Sequence, residues 1–74
     1  MARKVYRVLP AGGSWKVAGP SGSALSTHYT KPPAVSAGQA AAKANQPSQL
    51  VVHKADGTFE YEYTYGDDPF PPKG

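Results

Sequence analysis

Between residues 5 and 10 apolar and polar positions alternate closely enough to predict a first strand, ended by Pro10 and the turn Ala11-Gly12-Gly13. Residues 14–18 repeat the period of two, with Trp15 and Val17 on one face and Lys16 on the other. Gly19-Pro20-Ser21-Gly22-Ser23 is loop by composition. Leu25, Thr27 and Tyr29 then alternate with Ser26 and His28, which predicts a third, shorter strand.

The period changes after that. Lys31 and Pro32 each precede a proline, which favours extended backbone and places the helix start at Pro33. From residue 33 to about residue 45 the chain is alanine-rich, and Ala34, Gly38, Ala41, Ala42 and Asn45 share one helical face. A stripe of such small side chains lets a helix sit close on a sheet, and Pro47 ends it. Residues 49–54 are a β-branched run, followed by a turn at Asp56-Gly57 and a last strand over residues 59–65. In that strand Phe59, Tyr61, Tyr63 and Tyr65 alternate with Glu60, Glu62 and Thr64. Beyond Gly66, the segment from Asp67 to Gly74 holds three prolines and reads as an extended tail, with Phe70 available as a lid over the thin core.

These elements predict an α+β domain: a small antiparallel sheet with one helix on one face, in the order ββ(β)-α-ββ. Residues 1–66 form the single domain and residues 67–74 a Pro-rich tail packed on it. Seventy-four residues suffice for one domain only. The chain has no cysteine, hence neither disulfide nor thiolate metal site, which suits a reducing cytoplasm. No apolar run reaches the length of a membrane span, and the N-terminal basic residues interrupt a strand pattern rather than precede a signal peptide's apolar region.

Several stretches form one recognisable pattern: Trp15 after a glycine turn, Thr30-Lys31 before the helix, the run from Leu50 to Gly57, and the ending from Tyr65 to Gly74. Together they resemble the small proteins labelled domain of unknown function 2188, over nearly the whole chain. The resemblance implies a stand-alone α+β domain of bacterial or phage origin, with no activity to carry over. The helix here is alanine-rich and opened by two prolines, where the family's usual form is rich in Glu and Arg.

The inventory of reactive groups argues against an enzyme, a cofactor site or a small-molecule substrate. Only His28 and His53 titrate near neutrality, and neither belongs to a ligand pair or a nucleophile motif. The glycine clusters lack the Lys-Ser/Thr of a phosphate loop. Glu60 and Glu62, on one strand face about 7 Å apart, read as solvated acids.

Charge is more informative. The net charge is +3, yet residues 1–54 contain seven Lys and Arg and no acid, whereas residues 55–74 contain five acids and one Lys. A one-sided basic segment is a signature of contact with DNA or RNA, with Arg3, Lys4, Arg7, Lys16 and Lys31 as candidate phosphate ligands. The alternative is a protein-interaction or self-associating module using Tyr61, Tyr63 and Phe70. Stacked bases are a further role for the aromatic stripe, although a helix with an alanine face needs bulky partners on the sheet beneath it.

Overall fold

The computed structural model describes residues 3–66. The elements are β1 (Lys4–Ala11), β2 (Ser14–Ala18), β3 (Ala24–His28), α1 (Lys31–Ala44), β4 (Ser48–His53) and β5 (Phe59–Tyr65). They form one five-stranded sheet, ordered β3-β2-β1-β4-β5, with the helix across one face. The expected tail, residues 67–74, lies outside the described residues.

Glycine backbone builds the turns. Gly12 and Gly13 both have positive φ, 55° and 89°, and join β1 to β2 through the two-residue hairpin turn that matches strand twist. The segments 19–23 and 54–58, read from composition as a plain loop and an Asp-Gly turn, are the same device. In each, the fourth residue is a left-handed glycine whose N–H donates to the first residue's carbonyl at 2.9 Å. The first residue's N–H in turn donates to the fifth residue's carbonyl. This three-residue hairpin loop ends in a glycine bulge.

The sheet is mixed rather than wholly antiparallel, which corrects one expectation. Two hairpins make β3 run in the direction of β1, and α1 then returns the chain. β4 therefore enters in that same direction, and it pairs with β1 in parallel, Tyr6 beside Leu50 and Val8 beside Val52. Only β5, joined by a hairpin, is again antiparallel. The helix also starts two residues earlier than its prolines suggest, at Lys31, with Pro32 and Pro33 in the first turn. N–H groups there have no intrahelical partner, so proline forfeits no hydrogen bond.

The core lies between the helix and the three central strands. Tyr6, Val8, Val17, Leu50 and Val52 come from the sheet, and Ala34, Gly38 and Ala42 from the helix. A Cβ on Gly38 would stand 2.9 Å from Leu50 Cδ1 and 3.1 Å from Val8 Cγ2, so close approach explains a glycine in mid-helix. Asn45 leaves the predicted stripe: it is the exposed C-cap, and its amide donates to the Ala41 carbonyl at 2.8 Å. At the same end the Ala42 carbonyl, which already accepts the Asn45 N–H at 3.1 Å, also accepts from the buried Ser48 hydroxyl.

Candidate nucleic-acid interface

Register assigns every strand residue to a face. Because Val8, Val17 and Val52 face the helix, their neighbours Arg7, Lys16, Val51 and His53 face away. Among the described residues no second layer covers that side, so within them the sheet presents a bare face. Val5, Arg7 and Leu9 of β1 form its centre, flanked by Lys16 and Ala18 of β2 and by Gln49, Val51 and His53 of β4. Arg7 sits opposite Ala18 on one side and Val51 on the other. Both of these are buried. Lys16 pairs with Leu9 and is the diagonal neighbour of Arg7, about 7–8 Å away in such a ladder.

The Arg7 guanidinium is aimed by His53. The imidazole Nδ1 lies 3.0 Å from the Gly57 carbonyl, which can only accept, so Nδ1 carries the proton. Nε2 is then the acceptor for Arg7 Nη1 at 3.4 Å. The hairpin turn thereby orients a cation on a strand 46 residues away in sequence. The acid on this face, Glu62, accepts from the Gln49 side-chain amide at 2.7 Å. Glu62 stands two strands from Arg7, in the row Arg7, Val51, Glu62, or about 10 Å at ordinary strand spacing.

The five candidate phosphate ligands do not form a single patch. Arg7 and Lys16 come together on the bare face. Arg3 directly precedes β1 and is half-buried. Lys4 is exposed, but its register partner is Ser48, which places it on the helix side of the sheet. Lys31 also lies on the helix side, 5.2 Å from the centre of the Trp15 ring and 5.9 Å from that of Tyr61, and ion-paired to Glu60.

That ion pair follows from a bulge the residue pattern does not announce. Tyr61 pairs with Val52 but Phe59 pairs with His53, so Glu60 is an extra residue and the alternation slips at that point. Phe59 consequently joins His53 on the bare face, 55% exposed, instead of continuing the tyrosine row. Glu60 turns to Lys31 while Glu62 turns to Gln49, so the two acids do not share a face as simple alternation predicts.

Tyr61, Tyr63 and Tyr65 do face the helix side, but α1 lies mainly over β1, β2 and β4. Tyr65 packs on the core, whereas Tyr61 and Tyr63 stay 37% exposed at the edge. The row is internally packed, Tyr61 edge-on to Tyr63 at 5.5 Å and Tyr63 stacked on Tyr65 at 6.3 Å. Lysines from the helix lie over its two ends, Lys31 at Tyr61 and Lys43 at Tyr65. Partial burial, with the Tyr63 ring beside it, raises the Tyr61 phenol above its ordinary range. Phe70, the third residue of the protein-contact alternative, lies outside the described residues.

A groove between β3 and the start of α1 is lined by Ser14, Thr27, His28, Tyr29, Thr30 and Pro33. Pro32 and Pro33 lack N–H groups, so this helix terminus offers an anion fewer donors than most. Among the described residues no three His, Asp or Glu side chains cluster as a metal site would require. Among the same residues no helix is long and apolar enough to cross a membrane.

No curated protein and no solved structure matches the chain. A family model does, over residues 6–65, from Tyr6 within β1 to the end of β5, but without the ending beyond Tyr65 that carries part of the resemblance. The chain therefore belongs to the family described as an uncharacterized protein conserved in bacteria, DUF2188.

Proposed function

We propose that this domain binds nucleic acid, DNA or RNA, as a non-enzymatic module, through the sheet face opposite the helix. One observation carries the reading: among the described residues, a sheet face that no other element covers holds two cations on β1 and β2, while the acid on it, Glu62, lies at the β5 edge and is tied to Gln49. Arg7, pre-oriented by His53, is the directional phosphate ligand, and the Lys16 ammonium adds a point charge. Val5 and Leu9 place apolar groups on either side of Arg7 along β1. Phe59 and His53 supply ring faces at the margin, where an unpaired base can stack. A flat sheet with peripheral rings suits a single strand better than a duplex groove.

Two phosphate contacts imply weak binding with a shallow salt slope. For a single strand the slope is about −0.7 per neutralised phosphate. Arg7 and Lys16 together give about −1.4, or about sevenfold between 50 and 200 mM salt. Fluorescence anisotropy of labelled single-stranded RNA, single-stranded DNA and duplex DNA across that range tests the reading. Arg7→Ala with Lys16→Ala removes the salt-dependent part of the affinity, while Lys31→Ala leaves it. Absence of binding at the lowest salt, or binding that survives the Arg7/Lys16 double substitution, refutes it.

A further inference from the structure

The bare face does not end at β2. Lys16 pairs with Thr27 of β3, and Ser14 shares the Lys16 side of β2, so Thr27 and Ser14 carry that face to the sheet edge. Both line the groove that continues to Thr30 and Pro33 at the start of α1. Its volume, about 670 Å³, falls in the range of small-molecule sites. Among the described residues no Asp, Glu, Lys or Arg lines it, and Pro32 and Pro33 have no N–H to offer an anion. It presents a ring and hydroxyls instead. Tyr29 is 89% exposed, more than any other large apolar side chain among the described residues. The hydroxyls of Ser14, Thr27 and Thr30 can each donate or accept. His28, held at Nε2 by the Ser26 hydroxyl at 3.0 Å, adds an imidazole to the same lining.

We infer that this groove holds a nucleobase of the strand whose phosphates lie on Arg7 and Lys16, with the base stacked on the Tyr29 ring. The inference rests on the nucleic-acid reading and adds to it the place where a base is held. Three features select a base. A groove without charge leaves a phosphate in water and suits the uncharged part of a nucleotide. Side chains that both donate and accept match the mixed donor and acceptor edges of a base, and an exposed phenol ring gives its face a partner. Lys16 stands one strand spacing from Thr27, about 4.8 Å. It sets a cation beside the groove, which a nucleotide uses and an uncharged sugar does not.

Register also sets the path of the strand. Phe59 pairs with His53, which follows the Val8–Val52 pair by one residue and so lies level with Leu9. Leu9 pairs with Lys16, and Lys16 with Thr27. One row across all five strands therefore has an aromatic ring near each end, Phe59 and Tyr29, with Lys16 within it and Arg7 beside it. The row spans four strand spacings, about 19 Å. The nucleic-acid strand lies along it, across the β-strands.

Fluorescence anisotropy at low salt, with a labelled single-stranded oligonucleotide and an abasic oligomer of the same length, separates base from phosphate contacts. The expected result is that Tyr29→Ala weakens binding of the base-bearing strand by about 5- to 150-fold, the worth of one stacked base. Its salt slope stays unchanged, because the lost contact carries no charge. Tyr29→Phe keeps the affinity, and binding of the abasic oligomer is the same in all three proteins. Far-UV circular dichroism of Tyr29→Ala should match the wild type, since the side chain is exposed. In the wild type the base-bearing strand should also shift the Thr27, Tyr29 and Thr30 amide resonances more than the abasic oligomer does. Unchanged affinity in Tyr29→Ala, an equal loss on both oligomers, or equal amide shifts with both overturns the inference and leaves the phosphate site standing. Failure of the wild type to bind either oligomer overturns the inference and the nucleic-acid reading together.

Discussion

Replacing Gly38 with alanine sets two effects against each other. In a solvent-exposed helix the change stabilises by about 0.8–1.0 kcal/mol, because glycine loses more backbone entropy on folding. Here the added methyl would lie 2.9 and 3.3 Å from the two Leu50 methyls and 3.1 Å from a Val8 methyl, and both of those residues are fully buried. Neither can swing into solvent, so the helix must lift or the core must shift, an overpacking cost of about 1–3 kcal/mol. The clash wins by roughly 1 kcal/mol on these figures. In a domain whose total stability is about 3–5 kcal/mol that is a large fraction, and it lowers Tm by about 4–8 °C. Urea unfolding followed by far-UV circular dichroism and by Trp15 fluorescence measures the loss, and Ala40→Gly on the exposed helix face calibrates propensity alone. Repeating Gly38→Ala in a Leu50→Val background isolates the contact, since the shortened side chain makes room and the substitution becomes less costly there. A stabilising Gly38→Ala, or an equal effect in both backgrounds, refutes the reasoning.

Other outcomes follow from single contacts. Ser48→Ala removes one of the two donors to the Ala42 carbonyl, which keeps the Asn45 N–H, and should cost about 0.5–1.5 kcal/mol in urea unfolding; Ser36→Ala, exposed on α1, should stay within about 0.5 kcal/mol. Lys31→Ala removes a cation from the Trp15 and Tyr61 rings and the partner of Glu60. It should cost about 1 kcal/mol, since the pair is partly exposed and the lost charge was unfavourable at a helix N-terminus; the Trp15 indole resonance should move with it. The Asp56 carboxylate accepts from the Thr58 hydroxyl at 2.6 Å and its N–H at 3.0 Å, which holds its pKa below the ordinary aspartate value. A folded-state pKa depressed in this way contributes stability that is complete above the unfolded value, about 3.9, and lost as pH falls through the folded one. Thermal unfolding of wild type and Asp56→Ala should therefore differ near neutrality and converge in acid.

The local features were legible because they depend on backbone conformation and side-chain period within a few residues. Glycine pairs that tolerate positive φ mark the turns, alternation marks the strands, and alanine with a terminal proline marks the helix. Trp15 and Val17 facing the core, with Lys16 on the other side, follow from that period alone. Even the close seat of the helix on the sheet was implied by Gly38 standing among alanines.

Tertiary structure decided everything that joins segments distant in the chain. Nothing near Arg7 signals that His53 will orient it; the parallel pairing of β1 with β4, imposed by the helical crossover, brings them together. A count of charges cannot separate Arg7 and Lys16 from Lys4 and Lys31, because face assignment depends on register and on where the helix lands. The bulge at Phe59 and Glu60 shows the limit most clearly. One extra residue against β4 ends the period-two rule, sending the ring to the bare face and the acid to Lys31. Local sequence determines which conformation each residue prefers, whereas the register between strands is chosen by the packing of the whole sheet against its one helix.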